Sequence, residues 1–124
     1  MKKTLFFDFS GTLVRMRPPE LLVDVNILEN LSDKFELGII TGARKAETLN
    51  ILNKLKIKDL FQIVITADDS RLRKPNPGLF PKIKIAAYIG DMRKDEFLAK
   101  NAKVPFFRIN KKYNINQILK KILL

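Results

Sequence analysis

The stretch Leu5-Phe6-Phe7-Asp8-Phe9-Ser10-Gly11-Thr12-Leu13 sets the frame for the whole 124-residue chain. Its first half is a continuous apolar run, as a strand buried on both faces requires, and such strands belong to parallel sheets covered by helices. Asp8 breaks the run, and a carboxylate in apolar surroundings is costly unless it is paired or bound to a cation. Gly11 then permits a tight turn, whose backbone N–H groups can face an anion. Two readings of Asp8 stand side by side: a cap on that turn, or an acid held at a site.

Outward from this stretch, strand and helix signals alternate. Leu21, Leu22, Val25, Leu28 and Leu31 recur at helical spacing. A short apolar strand, Leu37 to Ile40, stops at Thr41-Gly42, and Ala46, Leu49, Leu52 and Leu55 mark a second helix. Ile63-Val64-Ile65 reads as a third strand and Ile83 to Ile89, ending at Gly90, as a fourth. A helix over Lys94 to Ala102 leads to a fifth strand, Val104-Pro105-Phe106-Phe107, placed at a sheet edge because Pro105 lacks a ladder donor. Ile115, Ile118, Leu119, Ile122 and Leu123 form the apolar stripe of a last helix. The alternation predicts an α/β fold of three layers, with a mainly parallel sheet of about five strands. No repeat, low-complexity tract or linker divides the chain, so residues 1–124 read as one domain.

Composition narrows the chemistry. With no cysteine and no histidine, thiolate and imidazole catalysis are excluded, leaving carboxylates, hydroxyls, lysines and a hard metal held by oxygen. Asp8 interrupts the N-terminal apolar run before the ~7–15 residues of a secretory core are complete, and no stretch reaches the ~20 apolar residues of a membrane span. A cytoplasmic location without membrane contact is therefore expected. Lys and Arg number 24 against 13 Asp and Glu, a net charge of +11. Such a field attracts polyanions, nucleic acid among them; the competing reading is a solvated lysine surface, since no basic run is interleaved with aromatics as in a nucleic-acid motif.

Sheets of this kind bind ligands outside the carboxyl ends of their strands, which directs attention to the polar residues that follow each one. Thr41-Gly42 offers a hydroxyl and the N–H groups of a helix start, a phosphate seat or an ordinary N-cap. In Lys74-Pro75-Asn76-Pro77 the prolines restrict the backbone, so Lys74 is either an ammonium aimed at a phosphoryl group or a surface lysine in a turn. Asp68-Asp69 reads as a turn or capping pair. Asp91, after Gly90, is placed as an oxygen ligand for Mg²⁺, and Asp95 either steadies Lys74 or a metal-bound water, or caps a helix.

Taken together, four strand ends presenting Asp, Thr, Lys and Asp in that order resemble the four motifs of the haloacid dehalogenase-like hydrolase superfamily. Asp8-Phe9-Ser10-Gly11-Thr12-Leu13 resembles the first, Thr41-Gly42 the second, Lys74-Pro75-Asn76-Pro77 with Phe80 the third, and Gly90-Asp91 with Asp95 the fourth. The resemblance implies a Rossmann-like sheet with the first and fourth strands adjacent, and a Mg²⁺-dependent phosphohydrolase acting on a phosphorylated substrate. It implies that Asp8 is the nucleophile and Lys74 the group stabilising nucleophile and phosphate. Ser10, Gly11, Thr41, Gly42 and Lys74 would contact the substrate, Asp8, Asp91 and the Ser10 backbone carbonyl the metal, with Thr12 and Asp95 in support.

The chain departs from the pattern twice. Phosphatases of the superfamily carry a second aspartate two residues after the nucleophile, as acid for the leaving group and base for water; here that position is Ser10. General acid–base help is worth roughly 10²–10⁴-fold, so ordinary ester hydrolysis should be slow. No segment is long enough for a cap domain, and Lys74 to Gly90 leaves little room for the helix usual there. An open site suits a bulky substrate or a homo-oligomer that covers it. Beside the slow phosphohydrolase stands a catalytically impaired relative that binds phosphate or nucleic acid. A response-regulator receiver is disfavoured by motif order, and neither a G-x-G-x-x-G nor a P-loop occurs.

Overall fold

The computed structural model describes residues 2–124. Five parallel strands form the central sheet: β1 (Thr4–Phe7), β4 (Glu36–Ile40), β5 (Ile63–Ile65), β6 (Ile85–Gly90) and β7 (Phe106–Arg108), in the order β5-β4-β1-β6-β7. Two short strands, β2 (Val14–Arg15) and β3 (Glu20–Leu21), pair antiparallel as a separate hairpin. The helices are α1 (Val25–Lys34), α2 (Lys45–Lys54), α3 (Arg93–Ala102) and α4 (Ile115–Leu123). The α/β three-layer architecture expected from the alternation is thus present, and β7, preceded by Pro105, is an edge strand.

Side chains alternate across β1. Leu5 and Phe7 face a core shared with Leu28 and Leu31 of α1, Leu52 of α2 and Leu119 of α4. Phe6 faces the opposite core, where Tyr88, Phe80, Leu98 and Ala99 meet it, and Phe80 packs edge-on against both Phe6 and Tyr88 at 5.5 Å. That second face is covered by α3 and a single 3₁₀ turn, Pro77–Leu79, in place of a helix between β5 and β6.

Three boundaries differ from the sequence reading. The first helix begins at Val25, because Asp24 accepts from the Asn26 N–H (2.9 Å) and caps it. Leu21 instead lies in β3 and the Leu22 N–H bonds the Leu13 carbonyl (2.8 Å), so both leucines pack on the core from a hairpin. The fourth strand begins at Ile85, since Ile83 turns back onto the Pro81 carbonyl (2.9 Å). The fifth starts at Phe106. No helix among the described residues is long and apolar enough to cross a membrane.

β1 is the axis of the sheet, pairing with β4 on one side and β6 on the other. Gly38 of β4 lies opposite Phe6, and a Cβ there would come 2.5 Å from the Phe6 ring. Phe6 is fully buried and cannot yield. Gly38→Ala should therefore destabilise the chain by about 1–3 kcal/mol in urea unfolding, the cost of overpacking; an unchanged midpoint would show that the ring has room to move.

Candidate active site

β1 ends at Phe7, and the Asp8 N–H donates to the Ile89 carbonyl of β6 (2.8 Å), so Asp8 is fixed where the two central strands finish. The chain then turns at Gly11, whose φ of +84° is left-handed, a conformation glycine adopts without penalty. The Phe9 carbonyl accepts from the Thr12, Leu13 and Val14 N–H groups, closing the turn. A side chain on Gly11 would collide with the Asp91 carboxylate. The absent Cβ thus lets the turn close over Asp91.

Lys74 arrives from the loop after β5. Its ammonium lies 2.6 Å from Asp8 Oδ1 and 2.8 Å from Asp95 Oδ1, with 6% of the side chain exposed. Asp95, fully buried in the first turn of α3, also accepts from the Tyr88 hydroxyl (2.8 Å) and from the Met92 N–H (3.2 Å). Asp95 thus steadies Lys74; it is not the N-cap, which is Met92, but from the third helical position it accepts from the Met92 N–H. Gly90 makes room for it, since a Cβ there would sit 2.6 Å from the Asp95 Cβ. The Lys74 ammonium further lies 5.5 Å from the Tyr88 ring centroid.

Thr12, fully buried, places its hydroxyl 3.4 Å from Asp8 Oδ2 and 3.5 Å from Asp91 Oδ1. Asp8, Asp91 and Asp95 each bring a carboxylate oxygen within 4.8 Å of the others. Three carboxylates against one ammonium leave a local charge of −2, which a divalent cation would balance. Both Asp95 oxygens are engaged by Lys74, Tyr88 and Met92. Asp8 and Asp91 are accordingly the carboxylates suited to hold the ion, and all-oxygen donors match the hard Mg²⁺.

Thr41 follows β4, its N–H bonded to the Ile65 carbonyl (2.9 Å). It does not cap a helix, because α2 starts only at Lys45; its Oγ1 accepts from the Ala43 N–H (3.1 Å) instead. The hydroxyl proton is therefore available to an oxygen outside the turn. Thr41, Gly42 and Lys74 line one small cavity of about 20 Å³, room for a single water-sized group. Ser10 is exposed beside the turn. Asp68 and Asp69 lie apart from the acidic cluster and act as a turn pair: Asp69 Oδ2 accepts from the Thr66 N–H and hydroxyl (2.8 Å each), while Asp68 pairs with Arg44 (2.8 Å).

The residue that sequence reasoning missed is Tyr88. In Ile85-Ala86-Ala87-Tyr88-Ile89-Gly90 it reads as one more core aromatic, and its hydroxyl is the only signal of a polar partner, which is Asp95 in the following helix. Burial pushes the Asp8 carboxyl up to about 6, against the opposing pull of Lys74 and with a further push from Asp95. Burial, followed by the Asp95 charge, also drives the Tyr88 hydroxyl upward, so it stays protonated and donates.

A parallel sheet that gathers an acid, a hydroxyl, an ammonium and a second acid at the carboxyl ends of its strands defines an α/β protein with a carboxylate-centred site. The chain belongs to the haloacid dehalogenase-like hydrolase family, whose model matches residues 24–109, well over half of its length. That match holds Thr41, Lys74, Asp91 and Asp95 and begins after the Asp8 stretch. No curated protein matches the chain. Solved structures of similar fold include a HAD phosphatase from Thermococcus onnurineus (TM-score 0.84, 20% identity, 99% of this chain and 98% of that one). The phosphatase Tt82 from Thermococcus thioreducens is also similar (TM-score 0.74, 24% identity, 85% of this chain), although the chain spans only 46% of that protein. YfnB from Bacillus subtilis, bound to magnesium, shares the fold at 12% identity (TM-score 0.76, 98% of each chain).

The raised pKa of Asp8 has a consequence for stability. Folding tightens its proton, so the stabilisation this gives is present below about pH 4 and is lost as pH rises through about 6. In the presence of chelator, Asp8→Asn should therefore become more stable relative to the unaltered protein by about 2–3 kcal/mol between pH 4 and pH 7.5. Paired urea titrations at the two values check this, and a pH-independent difference would contradict it.

Proposed function

We propose that the chain is a Mg²⁺-dependent phosphohydrolase in which Asp8 is the nucleophile. The observation that carries this reading is the Lys74 ammonium held 2.6 Å from Asp8 by an Asp95 that Tyr88 and Met92 themselves fix. Membership of a hydrolase family supports it, as do the phosphatases among the proteins of similar fold. A magnesium-bound relative of the same fold supports the choice of ion.

Asp8, Asp91 and the Ser10 backbone carbonyl would hold Mg²⁺, which supplies positive charge for the phosphoryl oxygens. An Asp8 carboxylate oxygen attacks phosphorus while the bond from phosphorus to the leaving oxygen breaks, its electron pair going to that oxygen. The Lys74 ammonium and the Thr41 hydroxyl bind the phosphoryl oxygens. Water then attacks the same phosphorus, releasing inorganic phosphate and restoring the carboxylate. Ser10 can neither protonate the leaving oxygen nor deprotonate that water near neutral pH, so both steps rely on solvent and turnover of poor leaving groups is slow. The same serine supports a second reading, in which the site binds phosphate without turning over.

An aryl phosphate separates the two, because its leaving group needs little protonation. Hydrolysis should require Mg²⁺, disappear in Asp8→Asn and fall at least about 100-fold in Lys74→Ala, the scale on which loss of one charge-stabilising donor acts. Hydrolysis that persists in Asp8→Asn would overturn the nucleophile assignment, and no hydrolysis by the unaltered protein would favour the binding reading. The rate should also fall below about pH 6, as Asp8 takes up its proton. That limb should move to lower pH as Mg²⁺ is raised, because ion and proton compete for one carboxylate.

A further inference from the structure

The charge of this chain is unevenly placed. All 13 acidic residues lie at or before Glu96, whereas seven of the 24 Lys and Arg lie beyond it. This acid-free segment forms the end of α3, the edge strand β7, the loop after it and α4. Along the sequence its aromatics and cations look scattered, which is why no interleaved motif is legible there.

Folding gathers them. Phe107 of β7 and Tyr113 of the following loop are 39% and 40% exposed, large values for aromatics in so small a protein. Together with Arg108, Ile118 and Lys121 they line one cavity of about 280 Å³ beside the sheet edge. The ammonium groups of Lys112 and Lys121 lie 5.4 and 5.1 Å from the Tyr113 ring centroid. The Tyr113 loop is held in place by Asn110, whose side-chain Oδ1 accepts from the Lys112 and Tyr113 N–H groups (2.9 Å each) and whose N–H donates to the Tyr113 carbonyl (3.0 Å). Glu96 lies 3.5 Å from Arg108 at the border of the patch.

We infer that this edge binds single-stranded nucleic acid, with bases stacked on Phe107 and Tyr113 and phosphates held by Arg108, Lys112 and Lys121. Flat, half-exposed rings framed by cations are the two parts such surfaces combine, and neither part alone points to a strand. Charge complementarity selects a polyanion, and the rings select one that carries aromatic faces. An acidic peptide would meet the cations but leave the rings without a stacking partner. Arg108 lies in register with Gly90, and β6 pairs with β1, so the patch begins two strands from Asp8, about 10 Å at ordinary strand spacing. The binding does not depend on catalysis at Asp8, and the two are tested apart.

The experiment is fluorescence anisotropy of a labelled oligothymidylate of about twelve nucleotides with the full chain, in chelator, across a salt series. Affinity should fall steeply with salt, log affinity changing by about 0.7 per log unit of salt for each phosphate contacted. Tyr113→Ala should weaken binding about tenfold with the salt slope kept, while Tyr113→Phe, which retains the ring, binds as the unaltered protein does. Lys121→Glu should weaken binding and flatten the slope, whereas Lys58→Glu, outside this segment, should leave both unchanged. Three results would overturn the inference: no binding at 50 mM salt, equal losses in Lys58→Glu and Lys121→Glu, or equal affinity for a polyglutamate peptide of the same charge.

Discussion

The Lys74 ammonium is shared between Asp8 at 2.6 Å and Asp95 at 2.8 Å, in a setting where almost no water reaches any of the three. Two buried carboxylates this close would repel, and removing the cation between them would leave uncompensated charge, a cost of about 3–5 kcal/mol. The rest of the local structure serves this arrangement. The Tyr88 hydroxyl and the Met92 N–H fix the far carboxylate, Gly90 leaves space for it, and Gly11 lets the first turn close over Asp91. Asp8 and Gly11 follow β1, Lys74 comes from the loop after β5, and Tyr88, Gly90 and Asp95 come from β6 and the helix after it, so the site exists only when the sheet order places β1 beside β6.

The centre remains unbalanced in charge even so, and Asp8 shows it: burial raises its carboxyl towards neutrality. Under the proposed function, a divalent cation held by Asp8 and Asp91 would offset this surplus of negative charge. Stability is sacrificed at one residue so that the carboxylate is partly desolvated, a common bargain at functional sites.

Much of this was legible before any coordinates. Asp8, Thr41 and Asp91 stand directly after apolar strands, which in a parallel sheet brings them to one edge, and Lys74 lies in the loop that follows a further strand. Pro105 marked the edge strand by its missing donor. What stayed hidden depends on side-chain contacts that exist only once the chain is folded. Tyr88 is indistinguishable from a core aromatic until Asp95 is folded against it. The β2–β3 hairpin has two residues per strand, too few to show a period of two, so the helical spacing of Leu21 and Leu22 with Val25 masked it. Phe107 and Tyr113 have five residues and a turn between them and gather Lys121 from α4, so the patch is spread over residues 107–121 without a compact interleaved motif.

The centre of the account is that Asp8 itself receives the phosphoryl group. Ser10 makes this directly observable, because a chain without a base for the second step should accumulate the acyl phosphate that a faster enzyme would discard. The protein is mixed with an aryl phosphate and Mg²⁺, quenched in acid, digested and read by mass spectrometry. One phosphoryl group on the peptide carrying Asp8, absent from Asp8→Asn, is the predicted result. Release of the aryl alcohol with no phosphoryl group on that peptide, or with the label on another residue, would contradict it.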